Sequence, residues 1–122
     1  MTPLTGERIR FFMAFRLNYD VGSDAEAEFF REYEALARLP QIEDFQLMRD
    51  VTPPEYSNCQ YVVMMEYANA EAHDSFHQTP EHNRFVSQFW GPAVAEYKGG
   101  NAVAMDAKLQ KLTSPADLAP ER

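Results

Sequence analysis

Along residues 9–17 apolar and polar positions alternate: Ile9, Phe11, Met13, Phe15 and Leu17 share one side of an extended chain, and Arg10, Phe12, Ala14 and Arg16 the other. That period of two predicts a first strand. Residues 18–22 have turn composition, and Ser23 followed three positions later by Glu26 is a capping box with acidic residues massed behind it, the signature of a helix start. Phe29, Phe30, Tyr33, Leu36 and Ala37 then recur at helical spacing until Pro40, which predicts a helix over about residues 24–39 with one strongly aromatic face. Its charged face, including Glu28, Arg31, Glu32 and Arg38, is solvated.

Alternation returns over residues 42–51, less cleanly, and ends at Pro53-Pro54. It is strongest over residues 59–67, where Tyr61, Val63, Met65 and Tyr67 oppose Val62, Met64 and Glu66; both faces are largely apolar, so both are expected to be covered. Asn69 caps a second helical region containing Ala72 and Phe76, interrupted at Thr79-Pro80 and resumed through Phe85, Phe89 and Trp90. Gly91-Pro92 and Gly99-Gly100 punctuate the next stretch, and residues 101–105 read as a fourth strand. Residues 107–122, with two prolines and little periodicity, read as a flexible tail or a flap on a partner subunit.

The order β-α-β-β-α-β predicts an α+β domain of ferredoxin-like layout over residues 1–106, an antiparallel sheet with its helices on one face. The odd-numbered residues of strands one and three should then face the helices. The opposite face needs a second cover, and the mixed set Arg10, Phe12, Arg16, Val62, Met64 and Glu66 reads as the seam of a homodimer in which two sheets pack into a barrel.

Composition narrows the setting. A formal charge of -8 among 122 residues argues against a nucleic-acid or anionic-membrane partner. A single cysteine, Cys59, excludes an intrachain disulfide and suits a reducing compartment, and no run approaches the ~20 apolar residues of a membrane span; the expected location is cytoplasmic. Cys59 itself reads as a small buried hydrophobe. His73 and His77 stand at i and i+4, a spacing that can serve a metal, but no third ligand shares their face. Both read as surface residues, and no metal or cofactor is expected.

With the elements in place, the chain resembles the stress-responsive A/B barrel (Dabb) family of dimeric α/β barrels, and within it the polyketide cyclases. The residues that carry the resemblance are Glu28-Phe29-Phe30-Arg31-Glu32-Tyr33, Leu39-Pro40, Asp50-Val51-Thr52 and Thr79-Pro80-Glu81-His82. The last is similar to the family's His-Pro-x-His segment, with Thr79 in place of the first histidine. The resemblance implies that His82 is a catalytic base, that Tyr33 shares its pocket, and that Phe11, Met13, Phe29, Phe30 and Val63 line it. A pocket tyrosine of the cyclases falls on Phe76, a first-strand histidine on Ile9 and a third-strand histidine on Tyr61.

An imidazole can take and return a proton near neutral pH without a cofactor, and a buried phenol can donate a hydrogen bond to a developing oxyanion. His82 as base with Tyr33 or Tyr61 as donor would support cyclisation, isomerisation or retro-aldol cleavage of an aromatic or polyketide-like carbonyl compound. Two other readings remain open: a non-catalytic dimer that binds a small apolar or aromatic molecule or serves in a stress response, and a related barrel that oxidises quinols or haem.

Overall fold

A computed structural model describes residues 7–104; the tail expected over 107–122 lies outside them. The elements run β1 (Ile9–Leu17), α1 (Asp24–Leu36), β2 (Glu43–Arg49), β3 (Tyr61–Tyr67), α2 (Ala70–His77), α3 (Pro80–Phe85), a π turn (Val86–Trp90), the single turn α4 (Gly91–Ala93) and β4 (Val94–Val103). The four strands form one antiparallel sheet in the order β2-β3-β1-β4. This is the ferredoxin-like arrangement expected from the element order.

The parity of the central strands is as the alternation requires. Ile9, Phe15 and Leu17 on β1 and Tyr61, Val63, Met65 and Tyr67 on β3 are buried toward the helices, while Phe12 and Met64, paired across the two strands, are exposed on the other face. Phe15 sits at the centre of an aromatic cluster, its ring 5.3 Å from Trp90, 5.6 Å from Tyr61 and 6.0 Å from Phe29. Such tilted contacts add to the burial of large apolar area that holds sheet and helices together.

Local chemistry sets the helix ends. Ser23 Oγ accepts from the Glu26 backbone N–H at 3.2 Å, while the Glu26 carboxylate reaches back to the Gly22 N–H at 2.9 Å. The box therefore closes one residue earlier than the standard reciprocal pair; Gly22, at φ +83°, supplies the left-handed backbone that makes this possible. At its other end α1 stops at Leu36, three residues short of expectation. Arg38 and Leu39 bond back to Ala35 and Leu36, a tightened last turn in front of Pro40. Thr79-Pro80 begins a new helix rather than merely interrupting one: Thr79 Oγ1 accepts from the His82 N–H at 3.1 Å and Pro80 occupies the first turn.

Three expectations need correction. β2 runs Glu43–Arg49, shorter than residues 42–51, and its pairing with β3 is interrupted by a bulge between Glu43 and Gln46, with Asp44 at φ 54°. Cys59 is half-buried, since β3 starts at Tyr61 and leaves it in the preceding loop. The fourth strand begins at Val94, not at residue 101, and Gly99-Gly100 lies within it. Gly99 pairs with Met13, and a Cβ there would stand 2.1 Å from the Phe12 carbonyl oxygen. The glycine permits close approach of two backbones where composition suggested a break.

Candidate functional site

A cavity of about 220 Å³ lies between the inner face of the sheet and the helices. Phe11 and Met13 of β1 and Met65 of β3 form part of its wall, Tyr33 and Leu36 come from α1, and the region from Phe76 to Trp90 completes it. The lining is largely apolar, with a few polar side chains set into it: Tyr33, Tyr67, Tyr97, His77 and His82. Concave apolar walls with sparse polar groups are the usual form of a small-molecule site.

Of the residues expected from sequence, His82, Tyr33, Phe11, Met13 and Phe76 meet in this cavity. Tyr61, Phe29, Phe30 and Val63 are not among its lining residues. Tyr61 stands six residues from Tyr67, roughly 20 Å along the strand. Its hydroxyl donates to the Glu26 carboxylate, its ring lies 4.8 Å from that of Phe30, and burial followed by the Glu26 bond pushes its pKa up to about 12. Tyr61 therefore ties β3 to the start of α1, and its hydroxyl is already engaged. Phe29 and Val63 are sealed in the core.

The expected surface placement of His73 and His77 also changes. Residues 73, 76 and 77 share one helical face, so the turn that buries Phe76 also draws both imidazoles inward, and His77 lines the cavity. The rings of His73 and His77 lie 4.2 Å apart, those of His77 and His82 4.7 Å apart, and the edge of Phe76 meets His82 at 5.1 Å. His77 Nδ1 is 2.7 Å from the His73 carbonyl oxygen; a carbonyl only accepts, so Nδ1 carries the hydrogen and neutral His77 keeps its lone pair on Nε2. Among the described residues no group of three or more His, Cys, Asp or Glu side chains is placed to hold a metal.

The electrostatics divide the polar groups into two kinds. Burial raises the pKa of Tyr33, with the neighbouring Tyr67 adding to the effect, and burial raises that of Tyr67 as well. Both phenols therefore remain protonated donors throughout the physiological range. Burial pulls His82 below the ordinary imidazole value of 6.5; a 3.4 Å contact with Asn83 partly opposes this, and His77 and His73 reinforce it. His82 is thus a neutral base at pH 7, beside donors that do not ionise.

The depressed His82 pKa has a consequence for stability. Below pH 6.5 the unfolded chain takes up a proton that the folded site resists, so the stability contributed by neutral His82 is complete above 6.5 and is lost as pH falls toward the folded value. Urea midpoints measured from pH 7 to pH 5 should decline on acidification, and His82→Gln should flatten that decline. An identical pH profile in the variant would contradict it.

The sequence profile of the stress responsive A/B barrel domain, Dabb, matches residues 9–108. No curated protein matches the chain. Among solved structures, a Dabb family protein with a ferredoxin-like fold from Mesorhizobium loti superposes with a TM-score of 0.77 at 23% identity, over 82% of this chain and 99% of that one. A hydroxynitrile lyase from Passiflora edulis gives 0.71 at 14% identity, over 84% and 97%. A dimeric ferredoxin-like protein from Thermobifida fusca gives 0.66 at 18%, over 81% and 92%. Identities this low speak for the fold alone. The domain match, which takes in all four strands and every helix between them, goes further: the chain belongs to the stress-responsive A/B barrel family.

Proposed function

We propose that the protein is a homodimeric, cofactor-independent acid/base enzyme of lyase, cyclase or isomerase type acting on a small aromatic or otherwise mostly apolar carbonyl compound. One observation carries this reading: a neutral imidazole, His82, and a protonated phenol, Tyr33, face the same apolar cavity. His82 takes a proton from the carbon beside the carbonyl, or from a hydroxyl in the retro direction. In the first case the C–H electron pair moves to the carbonyl oxygen, where the Tyr33 O–H stabilises it. In the retro direction the O–H pair forms the new C=O as the C–C bond breaks and its pair leaves with the departing carbon; the imidazolium then returns the proton. The kinship of fold to a hydroxynitrile lyase is consistent with chemistry of this kind.

Size restricts the substrate. An apolar cavity of about 150 Å³ is known to accept benzene, and this one measures about 220 Å³. One ring with a short carbonyl-bearing substituent fits.

The test is proton exchange in D₂O, followed by NMR, across small aryl ketones, aryl β-keto acids and hydroxynitriles. Enzyme-dependent exchange or cleavage without oxygen uptake supports the reading. Oxygen consumption on quinols, or a Soret band on adding haem, would replace it with the oxidative alternative, and saturable binding with no reaction would replace it with a binding protein.

The dimer rests on the outward face of β1 and β3. Phe12 is 44% exposed and Met64 39% exposed, large apolar side chains in the middle of a sheet. Ion pairs run along the face beside them, Arg10 to Glu66 at 3.4 Å and Arg16 to Glu96 at 4.0 Å, so an apolar centre is framed by charge, as interfaces commonly are. A relative in fold is described as dimeric. Phe12→Glu should convert a dimer to a monomer in light scattering, and a wild-type protein that is already monomeric at micromolar concentration would refute the seam.

A further inference from the structure

Tyr67, the last residue of β3, is the largest of the fully buried side chains, with none of its surface exposed. It is one of two described residues with a buried side-chain polar atom that finds no hydrogen-bond partner, and in its case that atom is the hydroxyl oxygen. Buried hydroxyls are as a rule paired, because desolvating one without compensation is unfavourable. A phenylalanine would fill the same space without that cost. The ring is fixed edge-on against His73 at 5.1 Å and lies 5.8 Å from Phe76, and Tyr67 lines the cavity shared by Tyr33, His77 and His82.

We propose that Tyr67 is a further ligand-binding residue of this site, its hydroxyl donating a hydrogen bond to the oxygen of a carbonyl-bearing apolar ligand. The inference rests on the reading of the cavity as a substrate site and adds to it a second phenol donor. Two phenols on one oxygen would share an oxyanion between them, which a single tyrosine cannot do. The sheet places Tyr67 there by parity: it is on the inward side with Tyr61, Val63 and Met65, but at the end of the strand beside the histidines.

The experiment compares wild type with Tyr67→Phe, using acetophenone labelled with ¹³C at the carbonyl. The ligand-free variant should melt at the same temperature as wild type or higher, because no internal bond is lost. Acetophenone should bind it roughly three- to tenfold more weakly, with the bound carbonyl resonance moved upfield as the hydrogen bond disappears. A clearly lowered melting temperature would show that the hydroxyl is bonded within the protein and would overturn the assignment. Equal affinity and equal carbonyl shift would overturn it while leaving the acid/base reading of His82 intact. Absence of saturable binding to wild type at millimolar acetophenone would overturn both.

Discussion

His82→Ala is expected to lower the rate of α-proton exchange by about 10²- to 10⁴-fold, the usual contribution of a positioned general base. The ligand should bind about as well as before, since the apolar walls supply most of the contact and Tyr33 is untouched. Stability at pH 7 should change little, because the His82 ring is only partly enclosed and, among the described residues, its one polar side-chain contact, to Asn83, is long at 3.4 Å. A fall in kcat with KM nearly constant is the signature of a group that acts in the transition state rather than in binding. The wild-type rate should also carry an acid limb with a midpoint below 6.5, where His82 takes up its proton, and the residual rate of the variant should lack it. If His82→Ala exchanges at the wild-type rate, the base lies elsewhere. His77, which lines the same cavity, would then be the group to replace.

Gly99→Ala should have the largest effect on folding. A Cβ at this position would stand 2.1 Å from the Phe12 carbonyl oxygen and 2.7 Å from Met13 Cα. Both are backbone atoms of the central strand β1, so no side chain can rotate away to make room. Either β4 separates from β1 around the Met13–Gly99 pair or the ladder shifts register. The expected loss is about 3 kcal/mol or more, at the upper end of what overpacking causes, read as a lower urea midpoint. Gly100→Ala is the control, because nothing among the described residues lies within 4 Å of a Cβ there; the neighbouring substitution should cost only the small change expected within a strand. Equal midpoints for the two variants would contradict the close approach.

These two positions also mark what the sequence reveals and what it conceals. β1 is legible to the residue because Ile9, Phe11, Met13, Phe15 and Leu17 keep one side apolar at period two across nine positions, flanked by Arg10 and Arg16 on the other. β4 is not, because a glycine needed for close approach and a glycine needed for a turn look identical in sequence. The candidate base comes from the likeness of Thr79-Pro80-Glu81-His82 to the family's segment and from no periodicity; the Thr79 cap and Pro80 start the helix that carries His82. Tyr61 shows the limit of strand parity, which tells which face a residue occupies and not how far along the sheet it lies. His77 was recoverable from its spacing beside Phe76. The special status of Tyr67 was not, since whether a buried hydroxyl finds a partner depends on three-dimensional neighbours that no periodicity encodes.

The π turn gives the cavity a property of a different kind. Val86 and Trp90 both line it, and the Gly91 N–H bonds back to the Val86 carbonyl across five residues rather than four. Such a turn is an α-helix carrying one inserted residue. Deleting one residue between Val86 and Trp90 would let an ordinary α turn form while leaving the flanking turns in nearly the same phase, because the wider turn had absorbed the extra residue. What would change is how many side chains this stretch of wall presents to the cavity, with no substitution at any lining position. Chain length in that short segment is therefore a determinant of the cavity wall in its own right, separate from the identity of the residues that line it.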